Sequence, residues 1–312
     1  GAAGYCESDV YALTIAGNTA MNHLFLGIQP RYLAGAPYVP VVTRPLMADA
    51  GDLGIKINPV GKIYTFPNIA GFVGGDTVSA ALISQMDKAD KLKLLIDIVT
   101  NGEMVLGTKM ELLACSVAAG PAFEGGQISC GMRGAAGAID HVSMGEEYKY
   151  SVIGNTTPQG IAGSGLVDAV AWLVEIGIID KTGRILNREE IKNEQGIRYA
   201  ERIININGIV SFLLAENTTT EKPVYISQKD VRQFQLAKGA IAAGIEILLK
   251  NYGAQVDDID EVFLAGAFGN YLNPASACKA GLIPHRLVEK IIGIGNAAGS
   301  GAKLALISEN EY

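Results

Sequence analysis

The chain has 312 residues, of which 49% are hydrophobic and 18% charged, and this composition excludes a disordered chain or a small disulfide-stapled domain. Its 25 basic and 32 acidic residues give a net charge of −7, which argues against a general nucleic-acid or anionic-membrane surface. Polar or charged residues interrupt every long apolar stretch, so no membrane-spanning helix is predicted. We therefore expect neither nucleic acid nor membrane as a partner.

The cysteines, Cys6, Cys115, Cys130 and Cys278, are scattered without a C-x-x-C pair. Since the start of the chain also has no secretory signal pattern, this spacing favours reduced thiols in a cytoplasmic protein. A single disulfide remains an open alternative. The histidines are far apart in the sequence without ligand spacing, and we expect them to be structural.

The N-terminal part predicts short elements joined by loops. A β-type run over 10–16 ends at a Gly-Asn turn and is followed by a helix over 19–26. Residues 28–68 are rich in proline and glycine, which predicts loops with short strands. A small-residue helix over 75–86 carries Asp76 in its first turn.

The rest of the chain alternates strands with helices, which predicts α/β layers. Ser227 is the predicted N-cap of a long helix, because an acidic residue, Asp230, stands at the third helical position. The predicted elements are, in order, strands over 94–98, 103–107 and 111–115, a glycine-dense loop over 116–137, strands within 138–156, a helix approached by a loop within 160–177, the helix from Ser227 to about Tyr252, a strand over 261–265, a turn over 266–269 and a helix over 297–307.

Two pairs of segments are similar to each other within the chain. Residues 13–20 and 292–298 both contain a short apolar run, a Gly-Asn turn and a small-residue helix. Residues 68–76 and 160–168 form a looser pair in which an Asn/Gly-Ile-Ala-Gly segment precedes an aspartate. Together they favour two lobes built on a common plan.

The strand and turn around Asp97 form the first candidate site. A carboxylate at a strand end, followed by Thr100, Asn101 and Gly102, suits phosphate and magnesium, because the turn's N–H groups can face phosphate oxygens while the carboxylate holds a hydrated ion. Thr100 and Asn101 can donate side-chain hydrogen bonds, and Glu103 can orient a water. The alternative is an ordinary hairpin with an Asn-Gly turn.

The glycine-rich stretch over 118–127 is a second candidate. Small residues such as Gly120 before a helix start let a ligand approach the backbone, and a helix N-terminus favours anions. Glu124 and Gln127 stand three residues apart, and one of them can polarise a water in phosphoryl transfer. The alternative is a connector whose polar residues are merely solvated.

Two further glycine-containing turns are candidate ligand contacts. Gly163-Ser164-Gly165 precedes an apolar helix and suits a phosphate, although it lacks the Gly-Lys-Ser/Thr of a P-loop, and Asp168 can equally cap that helix. Gly266-Ala267-Phe268-Gly269 follows an apolar strand, where a flat ring can lie against bare backbone. The alternative for this turn is a tight connection with Phe268 in the core. Neither a Ser-His-Asp nor a Cys-His arrangement emerges.

Taken in order, six segments resemble the actin, sugar-kinase and Hsp70 ATPase superfamily, and within it the ATP-dependent reductive activators of corrinoid proteins. The resemblance covers nearly the whole chain and implies an α/β, actin/sugar-kinase/Hsp70-like (RNase H-like) bilobed fold with ATP and Mg²⁺ between the lobes. The segments are IAGNTAMNHLFLG (15–27), PNIAGFVGGDTV (67–78), LLIDIVTNGEMVLG (94–107), LLACSVAAGPAFEGGQISCGMRGAAGAID (112–140), GIAGSGLVDAV (160–170) and VFLAGAFGNYL (262–272).

The resemblance also implies a division of the chain. Residues 1–90 would be the C-terminal part of an incomplete first lobe, 91–290 the second lobe, and 291–312 a connecting helix that returns to the first lobe. The Gly-Asn turns at residues 17–18 and 295–296 would begin the helices that connect the lobes.

The site residues implied by the resemblance are those found above. Residues 97–103 would be the second phosphate-binding turn, residues 266–269 would flank the adenosine, and Asp97 would anchor Mg²⁺ through water. The carboxylate that orients the attacking water is expected to be Glu124 or Asp76.

Activators of this kind use ATP to drive an electron onto a Co(II) corrinoid and so restore the Co(I) nucleophile. The corrinoid is carried by a separate methyl-transfer protein, and the electron comes from an iron–sulfur centre, usually on an N-terminal ferredoxin-like domain. This sequence contains neither a cluster-binding cysteine set nor the first phosphate turn, Asp-x-Gly-Thr-Thr. We therefore expect it to be the C-terminal part of a longer activator, with the cluster on a domain outside this chain; a homodimer remains open.

Val99 departs from the family pattern, in which glycine is usual at this position. Its Cβ and methyl groups are expected to crowd a phosphate or to forbid a positive φ. Val99 and the missing first phosphate turn favour one alternative, a nucleotide-blind docking module for the corrinoid protein. A small-molecule kinase of the same superfamily is a second alternative.

Overall fold

The structure, a computed structural model, describes residues 4–144, 147–216 and 222–308 and is built from layered strands and helices. The elements before residue 90 are β1 (Ala12–Ile15), α1 (Thr19–Phe25), β2 (Leu46–Asp49), β3 (Lys62–Thr65) and α2 (Gly75–Ile83). The later elements are β4 (Lys93–Ile98), β5 (Gly102–Thr108), β6 (Glu111–Val117), β7 (Ala138–Met144), β8 (Tyr148–Val152), β9 (Gly160–Ile161), α3 (Gly163–Glu175), α4 (Glu194–Arg198), β10 (Ile203–Ile206), β11 (Ile209–Ala215), β12 (Val224–Ser227), α5 (Gln228–Tyr252), β13 (Glu261–Ala265), α6 (Gly266–Tyr271), α7 (Pro274–Lys279), β14 (Ile291–Gly295) and α8 (Ala297–Ile307).

A five-stranded mixed sheet lies at the centre of the later part, in the order β14-β13-β4-β5-β6. Strands β14, β13 and β4 run parallel to one another, whereas β5 is antiparallel to both β4 and β6. Three-stranded sheets in the orders β1-β3-β2, β8-β7-β9 and β10-β11-β12 surround it. Because β4 and β13 are parallel neighbours, the residues that follow them meet at one edge of the sheet.

Strand β4 is buried on both faces, which explains its unbroken apolar sequence. Leu94, Ile96 and Ile98 belong to the main core, together with the apolar stripe of α5. Leu95 points to the opposite face and packs in a smaller core that includes residues of α2 and α8, such as Ala80. A parallel strand covered on both sides has this composition, so the predicted strand over 94–98 is confirmed.

Helix α5 begins at the predicted cap. The Ser227 side chain accepts a hydrogen bond from the Asp230 N–H at 3.2 Å, and the Asp230 carboxylate accepts one from the Ser227 N–H at 2.8 Å. This reciprocal pair satisfies two N–H groups that the first helical turn would otherwise leave free. The predicted end near Tyr252 is confirmed as well, with Gly253 in the left-handed conformation.

Two predicted boundaries were wrong. The turn predicted over 266–269 is the start of helix α6, because the positive φ of 82° at Gly266 reverses the chain within one residue. The helix predicted over 75–86 ends at Ile83, and Gln85 beyond it adopts a positive φ of 52°.

Helices α2 and α8 cross in close contact and join the two parts of the chain. A Cβ on Gly301 would stand 2.0 Å from the carbonyl oxygen of Ser79, so the glycine permits the backbones to approach. The Ser79 hydroxyl donates to the carbonyl of Ala298 at 2.7 Å, and the Thr14 hydroxyl of β1 donates to that of Ala302 at 2.7 Å. These contacts pack α2 against α8.

The two similar segments found in the sequence share their cap chemistry. Asn18 caps α1 by accepting from the Met21 N–H, and Asn296 caps α8 by accepting from the Gly299 N–H, each at 2.9 Å. Their sheets differ: β1 pairs only within the small N-terminal sheet, whereas β14 lies at the edge of the large one.

The cysteines and His23 are as the sequence predicted. Each of the four cysteines is a free thiol, and His23 is buried between the Thr19 carbonyl and the Val41 N–H, as expected of a structural histidine. Within the ranges given above, no helix has the length and apolarity that crossing a membrane requires.

Candidate functional site

The turn that follows β4 adjoins the start of α6, which follows β13. Asp97 lies directly opposite Ala265 in the parallel register of the two strands. The next residue, Gly266, has a φ of 82°, and a Cβ there would stand 2.6 Å from Asp97 Oδ1. Glycine at this position therefore leaves room for the carboxylate, and residues 97–103 and 266–269 form one region.

Asp97 holds a carboxylate oxygen that has no hydrogen-bond partner. Its Oδ1 is fully buried, and no donor reaches it among the residues that the structure describes. Burial, and to a smaller extent the negative charge of Asp76, raises the pKa of Asp97 to about 6. A buried carboxylate oxygen without a donor is costly unless a cation or water completes it.

Two more carboxylates share this region. Glu103 pairs with Asp97 across β4 and β5, and the Ser116 hydroxyl donates to it at 3.3 Å. Burial raises the pKa of Glu103 to about 7, with the charges of Asp76 and Asp97 as further causes. Asp76 lies in the first turn of α2, and burial raises its pKa too, while the Thr77 N–H opposes this shift. Carboxylates from both parts of the chain thus repel each other here.

This cluster fits a hydrated divalent cation. No group of three or more His, Cys, Asp or Glu side chains within the described ranges is arranged to hold an ion directly. Mg²⁺ commonly keeps several of its waters and binds through one or two carboxylates, so the unpartnered oxygen of Asp97 suits it.

The raised pKa values predict how stability depends on pH in the absence of divalent ions. Asp97 and Glu103 titrate near 6 and 7 when folded but near 3.8 and 4.5 when exposed, so the folded protein holds more protons at intermediate pH. Their contribution to the free energy of unfolding is complete below the lower values and is lost as the pH rises through the higher ones. We expect Glu103→Gln, which keeps an acceptor for Ser116, to melt at a higher temperature than the parent at pH 8.

Thermal melts in chelator at several pH values test this expectation. The advantage of Glu103→Gln should shrink between pH 8 and pH 4, where the parent carboxylate is already protonated. An advantage that is constant over this range, or absent at pH 8, would contradict the proposed repulsion.

The turn between β4 and β5 is tied to the glycine-rich stretch. The Thr100 hydroxyl donates to Glu124, and the Gly120 N–H donates to the Thr100 carbonyl at 2.9 Å. Within the turn, the Val99 N–H donates to the Asn101 carbonyl at 2.9 Å. Val99 has no positive φ, so of the two effects expected of its side chain only the crowding remains.

A cavity of about 330 Å³ opens beside this turn. Its wall is mainly apolar and aromatic, and Phe268 stacks on Phe123 with ring centres 5.0 Å apart. The wall consists of Ile98, Val99, Phe123, Glu124, Arg133, Gly134, Ala162, Gly163, Ser164, Phe268 and Tyr271. A flat ring fits such a wall, with Glu124 and Arg133 as its charged members.

The start of α3 belongs to this wall, but its polar group is engaged within the protein. A Cβ on Gly163 or Gly165 would stand 2.0 or 2.3 Å from a backbone carbonyl oxygen, so both glycines permit close packing of the helix end. The Ser164 hydroxyl donates to the Asp140 carbonyl at 2.8 Å. Gly163 and Ser164 reach the cavity, whereas Gly165 is not part of its wall.

The other predicted contact residues lie outside the cavity wall. Gly102 is buried, and a Cβ there would stand 2.4 Å from a side chain of α5. Gly269 is buried against the end of β13. Gly120 has a φ of 80° with open space around it, and Ala267 belongs to α6, its side chain being outside the part that is described.

Sequence reasoning missed Arg133 and Tyr271. Arg133 is the only charged residue in the glycine-dense run 125–137, and a single cation among glycines is a signal that could have identified it. Tyr271 follows the predicted turn at 266–269 and enters the wall because α6 carries the chain on for another turn of helix; it is 61% exposed.

Sequence comparison assigns both parts of the chain to one family. Residues 91–312 match the model described as the C-terminal domain of RACo, the ASKHA domain, and residues 1–89 match the model described as the RACo middle region. The chain therefore belongs to the RACo family. Its later part is an ASKHA domain, and the predicted actin/sugar-kinase/Hsp70-like fold is confirmed.

Individual relatives agree with this family. The chain is 39% identical over 309 residues to the corrinoid activation enzyme RamQ of Eubacterium limosum, covering 97% of this chain and 51% of that protein. It is 26% identical over 323 residues to a [Co(II) methylated amine-specific corrinoid protein] reductase of Methanosarcina barkeri, covering 93% and 54%. A solved reductive activator for corrinoid, iron-sulfur protein superposes with a TM-score of 0.85 at 39% identity, covering 99% and 49%. The chain thus spans about half the length of these relatives.

Proposed function

We propose that this chain binds Mg·ATP where the turn after β4 meets the start of α6. It would hydrolyse the nucleotide as the ATPase portion of a corrinoid-protein reductive activator. The observation that carries the proposal is the meeting of Asp97 with Gly266, where a carboxylate with an unpartnered oxygen faces bare backbone. An ASKHA domain binds nucleotide, and the relatives are named for corrinoid activation or reduction.

Each part of the nucleotide has a suitable place in this region. The cavity beside Phe268, Tyr271 and Arg133 accepts a flat, polar-edged ring, since aromatic faces and a guanidinium both stack on bases. The phosphates would then lie along the turn at 99–102, in which the Val99 N–H and the Thr100 hydroxyl are already engaged by the Asn101 carbonyl and Glu124.

The acidic groups have separate tasks in the proposed hydrolysis. Asp97 would hold hydrated Mg²⁺, which, when bound, neutralises negative charge on the phosphate oxygens. Asp76, on the other part of the chain, would orient the attacking water. The negative charge of Asp76 contributes to the raised pKa values of Asp97 and Glu103. Hydrolysis would proceed by direct attack of water without a phosphoenzyme.

In the whole protein, this hydrolysis would be coupled to reduction of a Co(II) corrinoid to Co(I) on a corrinoid methyl-transfer protein. The electron would come from an iron–sulfur centre on a domain outside this chain, and the reaction would take place in the cytoplasm. Residues 1–90 would belong to the first lobe, 91–290 to the second, and 291–312 to the returning helix. Movement of the lobes about the nucleotide would change how the partner is held.

One alternative has a specific observation in its favour. Val99 forms part of the cavity wall and is 45% exposed, so a β-branched side chain stands at the proposed phosphate turn. If it prevents nucleotide binding, this chain would only dock the corrinoid protein.

Isothermal titration of the chain with Mg·ATP, and separately with a corrinoid protein, distinguishes these functions. Sub-millimolar Mg·ATP binding with phosphate release supports the ATPase. Hydrolysis that depends on an added sugar or acid would instead indicate a small-molecule kinase, and corrinoid-protein binding without nucleotide binding would indicate a docking module.

Val99→Gly is expected to strengthen Mg·ATP binding about threefold to tenfold, because it removes methyl groups that crowd the turn, and crowding of this kind costs on the order of 1 kcal/mol. Calorimetric titration of the variant beside the parent measures the change. Val60→Gly, at a site that is 68% exposed and far along the chain from the turn, controls for the loss of a valine side chain. Equal affinities for the parent and Val99→Gly would show that residue 99 lies away from the phosphates.

A further inference from the structure

We propose that Glu124 is a positioning residue: it holds Thr100, and through Thr100 the phosphate turn, instead of orienting the attacking water. The proposal rests on the function proposed above, and it reassigns one of the two carboxylates that the sequence offered for the water-orienting role. It follows from what Glu124 already contacts and from what keeps Glu124 in place.

The hydroxyl and the carbonyl of Thr100 both form hydrogen bonds to the segment 120–124. Its hydroxyl donates to Glu124 Oε1, and its carbonyl accepts from the Gly120 N–H at 2.9 Å. The hydroxyl has a single proton to donate, so Glu124 fixes the direction in which this donor points. The adjacent Val99 side chain is 45% exposed, and its N–H donates to the Asn101 carbonyl within the turn.

The segment that carries Glu124 is itself firmly held. Phe123 is buried between two aromatic rings, with its centre 5.0 Å from that of Phe268 in a stack and 5.9 Å from that of Phe234 edge to face. Its carbonyl oxygen lies where a Cβ on Gly163 would be only 2.0 Å away, so the helix end above it leaves no space for movement. Glu124 is therefore restrained by its packed neighbour, and its hydrogen bond to Thr100 orients the turn.

Other carboxylates are better placed for the attacking water. Asp76 lies in the first turn of α2, and its charge acts on Glu103 and on Asp97, whose Oδ1 has no partner within the described residues. Glu124 stands on the cavity side and has one oxygen occupied by the Thr100 hydroxyl. A residue that acts through another should affect nucleotide affinity more than the chemical step.

Kinetics of phosphate release by the full chain test this assignment. Glu124→Ala and Thr100→Val should each raise the KM for Mg·ATP about tenfold with kcat within about threefold, because loss of a hydrogen bond to a charged group has this size. Glu124→Gln and Thr100→Ser, which keep the acceptor and the donor, should recover most of that affinity. In the double variant Glu124→Ala/Thr100→Val, the effects should not add, since both changes remove one contact. Glu194→Ala, an exposed acid on α4, is the control.

The result that overturns the proposal is a Glu124→Gln variant whose kcat falls by about a hundredfold or more with little change in KM, because an amide cannot act as a base on water. Additive effects in the double variant would also contradict it.

Amide hydrogen exchange in the nucleotide-free protein separates this proposal from the proposed function. The Gly120 N–H, which donates to the Thr100 carbonyl, and the Val99 N–H should lose protection in Glu124→Ala and Thr100→Val but keep it in Glu124→Gln and Thr100→Ser. Changed exchange in a chain that binds no ATP would uphold the contact and refute the ATPase. Unchanged exchange in a chain that hydrolyses ATP would refute the positioning role alone.

Discussion

Asp97→Asn is expected to lower Mg²⁺-dependent ATP hydrolysis by at least about a hundredfold while making the protein more stable, because the substitution removes a buried negative charge that only a bound cation compensates. Burial and the charge of Asp76 raise the pKa of Asp97 to about 6, and Oδ1 has no hydrogen-bond donor within the described residues. A neutral amide of the same shape relieves this repulsion and should stabilise the fold at pH 8 by about 1–2 kcal/mol. Function and stability thus change in opposite directions.

Phosphate release and thermal melting of the two proteins at pH 8, with and without Mg²⁺, measure both effects. Addition of Mg²⁺ should raise the melting temperature of the parent but not of Asp97→Asn. Asp180→Asn is a matched control of opposite sign: hydrogen bonds from Thr182 and Arg184 lower the pKa of this half-buried carboxyl to about 2, so its loss should reduce stability and leave hydrolysis intact. An Asp97→Asn variant that hydrolyses ATP as fast as the parent would exclude Asp97 as the magnesium anchor.

Gly301→Ala is expected to destabilise the protein by about 2–3 kcal/mol, because the new Cβ would stand 2.0 Å from the Ser79 carbonyl oxygen and must separate α2 from α8. Because α2 also carries Asp76, the same displacement should weaken Mg·ATP binding. Denaturant unfolding monitored by circular dichroism gives the change in free energy of unfolding, and calorimetric titration gives the affinity.

Gly239→Ala provides the matched control, since it makes the same change within helix α5 where no atom lies within 4 Å of the new Cβ. There the substitution should stabilise by up to about 1 kcal/mol through helix propensity alone. Equal responses of the two glycines would show that the α2–α8 contact is looser than the structure indicates.

The carboxylate cluster contains residues from the same two parts of the chain that α2 and α8 hold together. Asp76 belongs to the part that matches the RACo middle region, whereas Asp97 and Glu103 belong to the ASKHA part. A cation that relieves their repulsion would therefore favour closer approach of the two parts, which is a direct physical route from nucleotide binding to movement.

Helix caps and buried strands could be predicted from the sequence where residues close together in the chain determine the local structure. The reciprocal cap at Ser227 and Asp230 fixes the start of α5, and the unbroken apolar run at 94–98 predicts a strand covered on both faces. The family was recognised for the same reason, since short segments in a fixed order carry that information.

The sequence by itself determined the order of β4, β5, β6, α5, β13 and α8, the cap of α5 and the family, whereas the turn that it predicted over 266–269 is the start of α6. Only the tertiary structure decided that Asp76 joins Asp97 and Glu103, that Ser164 already donates to a carbonyl, and that Glu124 holds Thr100. It also decided that Arg133 and Tyr271 line the cavity. These contacts join residues far apart in the chain, and the strand register and helix packing that bring them together depend on burial over the whole core, which no local pattern encodes.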